Sequence, residues 1–447
     1  MSTPTWSYLK TQLTDRVAYT SVCFGCHAFL TTLRSNALGA ITQCRVCKSD
    51  QVTQVLDFGT TAFTGVFPAS PTEPIDTGRL CLVVCESCGL AQLEDSFPAE
   101  VLYGDNYGYR SGLNASMLQH LSRTAHRLER RVGLVAGDTV LDIGANDGSL
   151  LRSYETPGVT LVGIDPTIAK VREFYDEKTV CVADFFTAAN FNSVSQAPAK
   201  IVTSIAMFYD LEDPVAFAKD IHQVLADDGL WHFEQSYMPW MLRSGAYDTI
   251  CHEHLEYYSL TTIKNILDRA GFIIVDVATN AVNGGSISVT AAKAGGYWTS
   301  QSIIPDWLLQ QEERNRDHDL ATWARFANVV RERQTDLLEL LTSLKASGKT
   351  IMGLGASTKG NVLLQTTGIG TDLLTCVGDV NPYKFGRFLP GTGIPIISEP
   401  DVLAQNPDYL LILPWHFRET FMVSLEPYLA SGGRLIFPLP DIEVVGY

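Results

Sequence analysis

Apolar positions in this chain cluster in two rhythms. Val140–Ile143, Leu161–Ile164, Ile201–Ile205 and Trp231–Phe233 are short, nearly continuous apolar runs, most of them closed by Gly, Asp or Glu. Such runs predict strands buried on both faces of a sheet. Residues 115–133 instead keep helical spacing, and Thr179–Asp184 reads as a further strand. Over 307–344, Phe326, Val329, Val330, Leu337, Leu340, Leu341 and Leu344 recur at helical spacing, which predicts a packed connector. A second strand, glycine turn and helix opens at Thr350–Asn361, followed by the strand Thr375–Asp379. Strands alternating with helices predict an α/β protein with two Rossmann-like units.

The first unit carries the clearest ligand signal. Its strand runs into Asp142-Ile143-Gly144-Ala145-Asn146-Asp147-Gly148, a glycine turn expected to open a helix, and the next strand ends at Asp165. Gly144 and Gly148 allow close backbone approach to a ligand, and Asp165 is placed to accept hydrogen bonds from a ribose. The second glycine of G-x-G-x-x-G is missing, so a dinucleotide is disfavoured. An acid, Gly-x-Asn-x-Gly and a second-strand acid resemble the S-adenosylmethionine site of class I methyltransferases. That resemblance implies that Asp142 faces the amino acid part of the donor and that Asp184 meets the adenine amino group, although an aspartate ending a strand also caps helices. The loop 207–214 should flank the methyl donor. The second glycine turn describes an anion-binding helix start, or equally a Rossmann-like half that binds nothing.

Composition narrows the partners. The 447 residues are 46% hydrophobic and carry a net charge of −16, enough for several cores and unfavourable to a nucleic-acid backbone. A small molecule is expected as substrate, and the sequence leaves the oligomeric state open. No apolar run reaches the ~18 residues of a membrane span, and no basic segment followed by an apolar stretch opens the chain, so a soluble cytosolic protein is expected. Ten cysteines are too few and too unevenly spread for a disulfide scaffold. Three C-x-x-C pairs stand out: Cys23/Cys26, Cys44/Cys47 and Cys85/Cys88. Two such pairs can close a tetrahedral zinc site of structural type, with redox pairs or buried thiols as alternatives. Spacing favours the first two pairs, 17 residues apart, over the last two, 37 residues apart.

Two further stretches carry reactive side chains. Leu102–Gly112 spaces Tyr107 and Tyr109 among glycines, as a ligand wall or as a solvent-facing turn with tyrosines packed on the next helix. Tyr247–Ser259 holds Cys251-His252-Glu253-His254. H-E-x-x-H is absent, no P-C-x-x-C follows, and histidines two apart share no helix face, so a metal there is disfavoured. General-base chemistry remains, with a neighbouring carboxylate to orient the imidazole, against a histidine pair bonded into a loop. Beside a methyl donor, such a base would deprotonate a hydroxyl, an amine, or a carbon next to a ketone. The last use needs donors for the enolate oxygen, for which Tyr107 and Tyr109 are candidates.

The order of four motifs, C-x-x-C pairs, Gly-x-Asn-x-Gly, Glu253-His254 and Gly-x-Gly-Ala-x-x-Lys-Gly-Asn, resembles the nucleotide-sugar C-methyltransferases of deoxysugar pathways, from about Gln43 to the C-terminus. The resemblance implies zinc on Cys44, Cys47, Cys85 and Cys88, and organisation of a substrate lid by that zinc. It also implies His254 as the base removing a proton beside the 4-keto group of a dTDP-linked sugar, with His252 as rival and Glu253 in support. Lys359, Gly360, Asn361, Asp379–Arg387 and Pro390–Thr392 fall where that family holds the sugar nucleotide. The donor would be bound by Asp142, Gly144, Asn146, Gly148, Asp165 and Asp184. One departure is Cys251, where the family carries a tyrosine. The expected layout is an extension over 1–40, a zinc-binding domain over 41–105, a methyltransferase domain over 106–300, a helical connector over 301–346 and a Rossmann-like substrate domain over 347–447. The alternatives are O- or N-methylation of another small molecule and, further off, a zinc-containing RNA methyltransferase.

Overall fold

The computed structural model describes residues 34–35, 39–98, 102, 110–300 and 302–446. Three sheets organise it. The first is built on the antiparallel strands β1 (Val52–Ala62), β2 (Asp76–Cys85) and β3 (Ala91–Leu93), with Arg34–Ser35 pairing in parallel to the start of β2. Helix α1 (Ala115–Val132) follows, capped by the Asn114 side chain on the N–H groups of Ser116 and Met117 and ended by Gly133 at φ +62°.

The second sheet contains β4 (Thr139–Ile143), β5 (Thr160–Ile164), β6 (Val180–Val182), β7 (Ala199–Ile205), β8 (Leu225–Ser236), β10 (Phe272–Asn280) and β11 (Ser286–Lys293). Its order is β10-β11-β8-β7-β4-β5-β6, and β11 runs antiparallel to both neighbours. Every residue of β4 is buried, as its apolar run required. The intervening strand β9 (Glu256–Tyr257) leaves this sheet and pairs with β3 of the first, Glu256 opposite Gln92. The segment just after the histidines is therefore an edge of the N-terminal sheet.

Helices α2 (Ile304–Asn315) and α3 (Leu320–Ala346) replace the single connector expected from spacing. They part at Arg316, whose φ of +56° leaves the right-handed helix. On α3 the buried residues Trp323, Phe326, Val330, Leu337, Leu340 and Leu341 form one face, and each large side chain so buried contributes roughly 1.5–3 kcal/mol. The third sheet is β12 (Ile351–Leu354), β13 (Val377–Asp379), β14 (Ile396–Ser398), β15 (Tyr409–Ile412), β16 (Arg434–Phe437) and β17 (Glu443–Val445), ordered β14-β13-β12-β15-β16-β17. Helix α4 (Thr358–Thr367) leaves β12 with Ser357 as its cap.

The cores cross these sheets. Leu56, Phe67, Leu80 and Leu82 of the N-terminal region pack with α3, the third sheet and Tyr247, Ile250 and Leu255. Cys44, Val46, Cys85 and Leu90 pack instead with the second sheet. The N-terminal region is thus wedged between the other two, and the histidine segment lies at the seam. Among the described residues no helix is long and apolar enough to cross a membrane.

Candidate active site and metal centre

Two equivalent knuckles build the metal centre. The N–H of Lys48 donates to the Cys44 carbonyl at 3.0 Å, and the N–H of Gly89 to the Cys85 carbonyl at 2.8 Å. Both turn residues sit at positive φ, +60° for Lys48 and +75° for Gly89. Pairing of Val52 opposite Cys85 brings the knuckles together. The sulfurs of Cys44, Cys47, Cys85 and Cys88 lie within 4.8 Å of one another, with Cys44–Cys88 at 3.6 Å and Cys47–Cys85 at 3.4 Å. A tetrahedron with metal–sulfur bonds of about 2.3 Å needs sulfurs about 3.8 Å apart, so the set fits zinc with no open position. The Cys44 thiol is drawn down to about 4 by its bond to Cys88, while burial pushes Cys85 up to about 11. Four thiolates this close need a cation to ionise together. Cys23 and Cys26 lie outside the described residues.

The donor edge is where β4, β5 and β6 end side by side, Ile143 beside Ile164 and Ile164 beside Val182. Gly144, Asp165 and Asp184 therefore open adjacent loops. Gly144 and Gly148 both adopt φ +71°, and Asn146 between them +48°. A Cβ on Gly144 would meet Met207 at 2.9 Å, and one on Gly148 the Tyr175 ring at 2.8 Å. Glycine is demanded there by backbone and neighbours alike. The turn does not open a full helix: a 3-10 turn, Leu151–Ser153, follows it. Asp165 accepts the N–H of Asn146 at 2.9 Å and the N–H and hydroxyl of Thr167, both at 2.6 Å, leaving acceptor capacity for a ribose hydroxyl. Asp142 is buried with the Thr203 hydroxyl at 2.6 Å, and burial, with the charge of Asp165, pushes its carboxyl up to about 7. Asp184 is exposed beside Phe185, a pairing suited to an adenine face and its amino group. Tyr107 and Tyr109 lie outside the described residues. The segment after them is tied to the donor turn: Ser111 N–H donates to Asn146 Oδ1 at 3.0 Å and Gly112 N–H to Asp147 Oδ2 at 2.9 Å.

The two histidines part company. His254 Nδ1 lies 2.9 Å from the Thr249 carbonyl, which can only accept, so Nδ1 carries the proton and Nε2 the lone pair. Its ring centroid is 4.1 Å from that of Tyr209, in the loop after β7. Burial lowers its pKa to about 4, aided by the charge of Lys359 and opposed by the Thr249 bond, so the ring is neutral at pH 7. His252 is fully buried between Phe63 and Phe97, centroids at 4.8 and 5.0 Å, with Nε2 on the Gly78 carbonyl. Its surroundings are core, which favours His254 over it as a base. The Glu253 carboxylate accepts the Thr64 hydroxyl at 3.0 Å and the Cys251 thiol.

The curated C-methyltransferase NovU of Streptomyces niveus is 30% identical over 414 residues, covering 91% of this chain and 97% of its own. The chain belongs to the C-methyltransferase family. A domain family described as zinc binding matches residues 44–103, a methyltransferase domain 110–277, and the C-methyltransferase C-terminal domain 281–440. Among solved structures, an S-adenosylmethionine-dependent methyltransferase from Clostridium acetobutylicum is 13% identical, covering 40% of this chain and 92% of its own at a TM-score of 0.32. Magnesium protoporphyrin IX methyltransferase from Synechocystis, with S-adenosylmethionine bound, is 15% identical, covering 44% and 89% at 0.31. As an S-adenosylmethionine-dependent C-methyltransferase with a zinc-binding region, the protein transfers a methyl cation equivalent to a carbon nucleophile of its acceptor. The family moves methyl to carbon, which displaces the O- and N-methylation alternatives.

The C-methyltransferase C-terminal domain reaches the same site. Lys359 is half-buried, bonded to the Asn283 carbonyl, and close enough to Asp248 and His254 to bias both. Asp248 in turn accepts the Trp415 indole N–H at 2.8 Å. Gly360 and Asn361 sit deeper. The Gly360 N–H is taken by Ser357, a Cβ there would meet Leu413 at 2.7 Å, and the buried Asn361 amide has no hydrogen-bond partner. Arg387 donates to the Phe67 carbonyl at 2.8 Å, joining the outer regions. Sequence reasoning put Tyr209 in a loop beside the donor and Tyr257 in the histidine segment without singling out either. Both line a small cavity with His254, Thr249, Ser236 and Glu256, and tertiary packing brings Tyr209 there.

Proposed function

We propose that this C-methyltransferase methylates a carbon next to the 4-keto group of a nucleotide-linked deoxysugar, with His254 as the base. The observation that carries this reading is the locked tautomer of His254. Its Nδ1–H is spent on the Thr249 carbonyl, which leaves the lone pair on Nε2 of a neutral ring that lines the small cavity. A ketone α-proton removed there leaves an enolate carbon, which takes the methyl supplied by S-adenosylmethionine. Enolate charge needs a cation or donors nearby. Lys359 and the phenols of Tyr209 and Tyr257 are the described groups nearest to that role, with Tyr107 and Tyr109 as further candidates. A nucleotide-sugar acceptor is supported by the motif order and by Lys359 and Arg387 on the C-terminal side.

The donor side follows from the three carboxylates. Asp165 has acceptor capacity for the ribose, Asp184, exposed beyond the third strand of the edge, is assigned to the adenine amino group, and Asp142 is the buried acid for the donor's amino acid end. Zinc on Cys44, Cys47, Cys85 and Cys88 is structural and takes no part in the chemistry.

Mass spectrometry of dTDP-4-keto-6-deoxyhexoses incubated in deuterated water tests this, with and without donor and alongside His254→Ala. Methyl gain with donor, and deuterium uptake without it that disappears in His254→Ala, are expected. Deuterium uptake that persists in His254→Ala would remove His254 as the base, and no methyl gain on any keto-sugar would remove the acceptor class.

A further inference from the structure

Arg45 lies between two of the metal-binding cysteines, yet its side chain points away from them. Only 2% of it is exposed. Its guanidinium donates from Nη1 to the Leu93 carbonyl at 2.7 Å, from Nη2 to the Ser96 hydroxyl at 2.7 Å and from Nε to Glu212 Oε2 at 3.3 Å. Nε also stands 3.8 Å from Glu256, a fully buried carboxyl whose oxygens have no hydrogen-bond partner. One buried cation thus touches the strand after the knuckle, the loop after β7 and the strand two residues beyond His254. The knuckle adds a second link, because Lys48 donates to the Arg45 carbonyl at 2.8 Å and pairs with Asp213 at 3.2 Å.

What lies at the far end of these links is the chemistry. Glu212 and Asp213 end the loop that begins at Ala206, a non-glycine residue held at φ +54°. That strained start costs of order 1–3 kcal/mol and persists only where surroundings fix it. Between the two ends the loop presents Met207 to the donor glycine Gly144 and Tyr209 to the His254 ring. The loop therefore spans donor and base, and its C-terminal anchor belongs to the metal-binding knuckle.

We propose that Arg45 is a positioning residue through which the metal-bound knuckle sets the loop 207–213 between the donor turn and His254. The metal fixes the knuckle backbone, the backbone fixes Arg45, and Arg45 holds Glu212 and Glu256 on either side of the base. A displacement of about 1 Å in such a support is enough to slow a reaction by about 100-fold. The idea rests on the proposed function for the donor turn, the base and the acceptor, while its structural arm, the exchange of the loop amides, needs none of them.

The test compares the full-length protein, its metal-stripped form, and the variants Arg45→Ala, Arg45→Lys and Glu212→Ala. Four quantities are read: zinc content, donor affinity, single-turnover methyl transfer and amide hydrogen exchange over 207–213. In Arg45→Ala, zinc content and donor affinity are expected to stay within about 2-fold, methyl transfer to fall about 30-fold or more, and the loop amides to exchange faster, as in the metal-stripped form. Arg45→Lys, able to reach one acceptor at a time, should recover part of the rate. Glu212→Ala, half-exposed and outside the cysteine set, should repeat the loop effect and add little to Arg45→Ala, because the two act as one unit. Unchanged loop exchange and full methyl transfer in Arg45→Ala would overturn the proposal. So would additive losses in the double variant. Should Arg45→Ala lose zinc, Glu212→Ala decides, and a silent result there sinks the idea. A wild-type protein inactive on every keto-sugar would count against the acceptor class and leave the exchange result standing on its own.

Discussion

The protein has two glycine turns at the carboxyl edges of the parallel strands of two mixed sheets, and they have diverged in use. In the first, Gly144, Asn146 and Gly148 hold positive φ, two buried carboxylates flank the turn, and no full helix follows. In the second, Gly355 is covered by Pro414, whose ring a Cβ would meet at 2.4 Å, and Ser357 caps its own helix α4. Lys384 then donates to the Ala356 carbonyl and pairs with Asp379 at 3.2 Å. Protein fills the second turn, and its reactive group, Lys359, is sent sideways to Asp248 and His254. A strand, a glycine turn and a helix specify a scaffold, and the loops around it decide whether it holds a ligand or supports its neighbour's.

If the first turn serves the donor and the second the acceptor, substitutions should divide the kinetics accordingly. The largest effect belongs to the group between them. His254→Gln keeps a polar side chain of similar size and removes the base, so methyl transfer should fall about 10²–10⁴-fold while calorimetric donor affinity is unchanged. A loss of donor binding of comparable size would place His254 with the donor turn instead. Next comes Lys359→Ala, expected to raise acceptor KM and lower kcat, together about 10–100-fold in kcat/KM, with donor affinity again unmoved. An effect on the donor alone would mean that the second turn supports the first turn's ligand.

The donor turn has its own signature, in pH. Burial raises the Asp142 carboxyl to about 7, so it is mostly protonated at pH 6 and mostly ionised at pH 8. A cationic donor is held by the ionised form, so affinity should tighten as pH rises through about 7, by up to about 10-fold. In Asp142→Asn the dependence should vanish and acceptor KM should stay put. Titration calorimetry at pH 6, 7 and 8 reads both. A wild-type affinity flat over that range would detach Asp142 from the donor.

Much of the donor turn was legible in the sequence because its features are local. Acid, glycines and second-strand acid lie within one unit, and β4 and β5 deliver them as their apolar runs implied. The metal centre was half legible. Linear spacing favoured Cys23 and Cys26, but the β1–β2 hairpin folds the longer 37-residue gap back on itself, bringing Cys85 to Cys47. The acceptor side was least legible. Adjacency suggested that Glu253 supports His254, whereas the bonds to Thr64 from Glu253 and to the Thr249 carbonyl from His254 come from folding and have no signal in the sequence. Tyr209, Arg45 and Lys359 come from three different regions, and no periodicity links them. What proximity in sequence could not supply, the shared cores did.

His252 gives the smallest expected effect on activity and the sharpest control. It lies two residues from the base, bears the same imidazole, and belongs to neither turn. Enclosed by Phe63 and Phe97, it has a pKa that burial lowers to about 4. In the unfolded chain the ring would titrate near ~6.5. Between these values the unfolded state takes up a proton that the folded state refuses, so His252 withdraws stability as pH falls from about 6.5 to about 4, by up to about 3 kcal/mol. His252→Leu fills much of the aromatic pocket but strands the buried Gly78 carbonyl, costing about 1–3 kcal/mol at pH 7. Its stability should then fall less steeply than wild type toward pH 4, since the other titrating groups are common to both proteins. Methyl transfer by the folded variant should stay within about 2-fold. Denaturant unfolding at pH 7 and 5, paired with single-turnover rates, separates the two histidines. Should His252→Leu instead keep its stability and lose its rate, the seam between Phe63 and Phe97 would have to be read as part of the active site rather than as core.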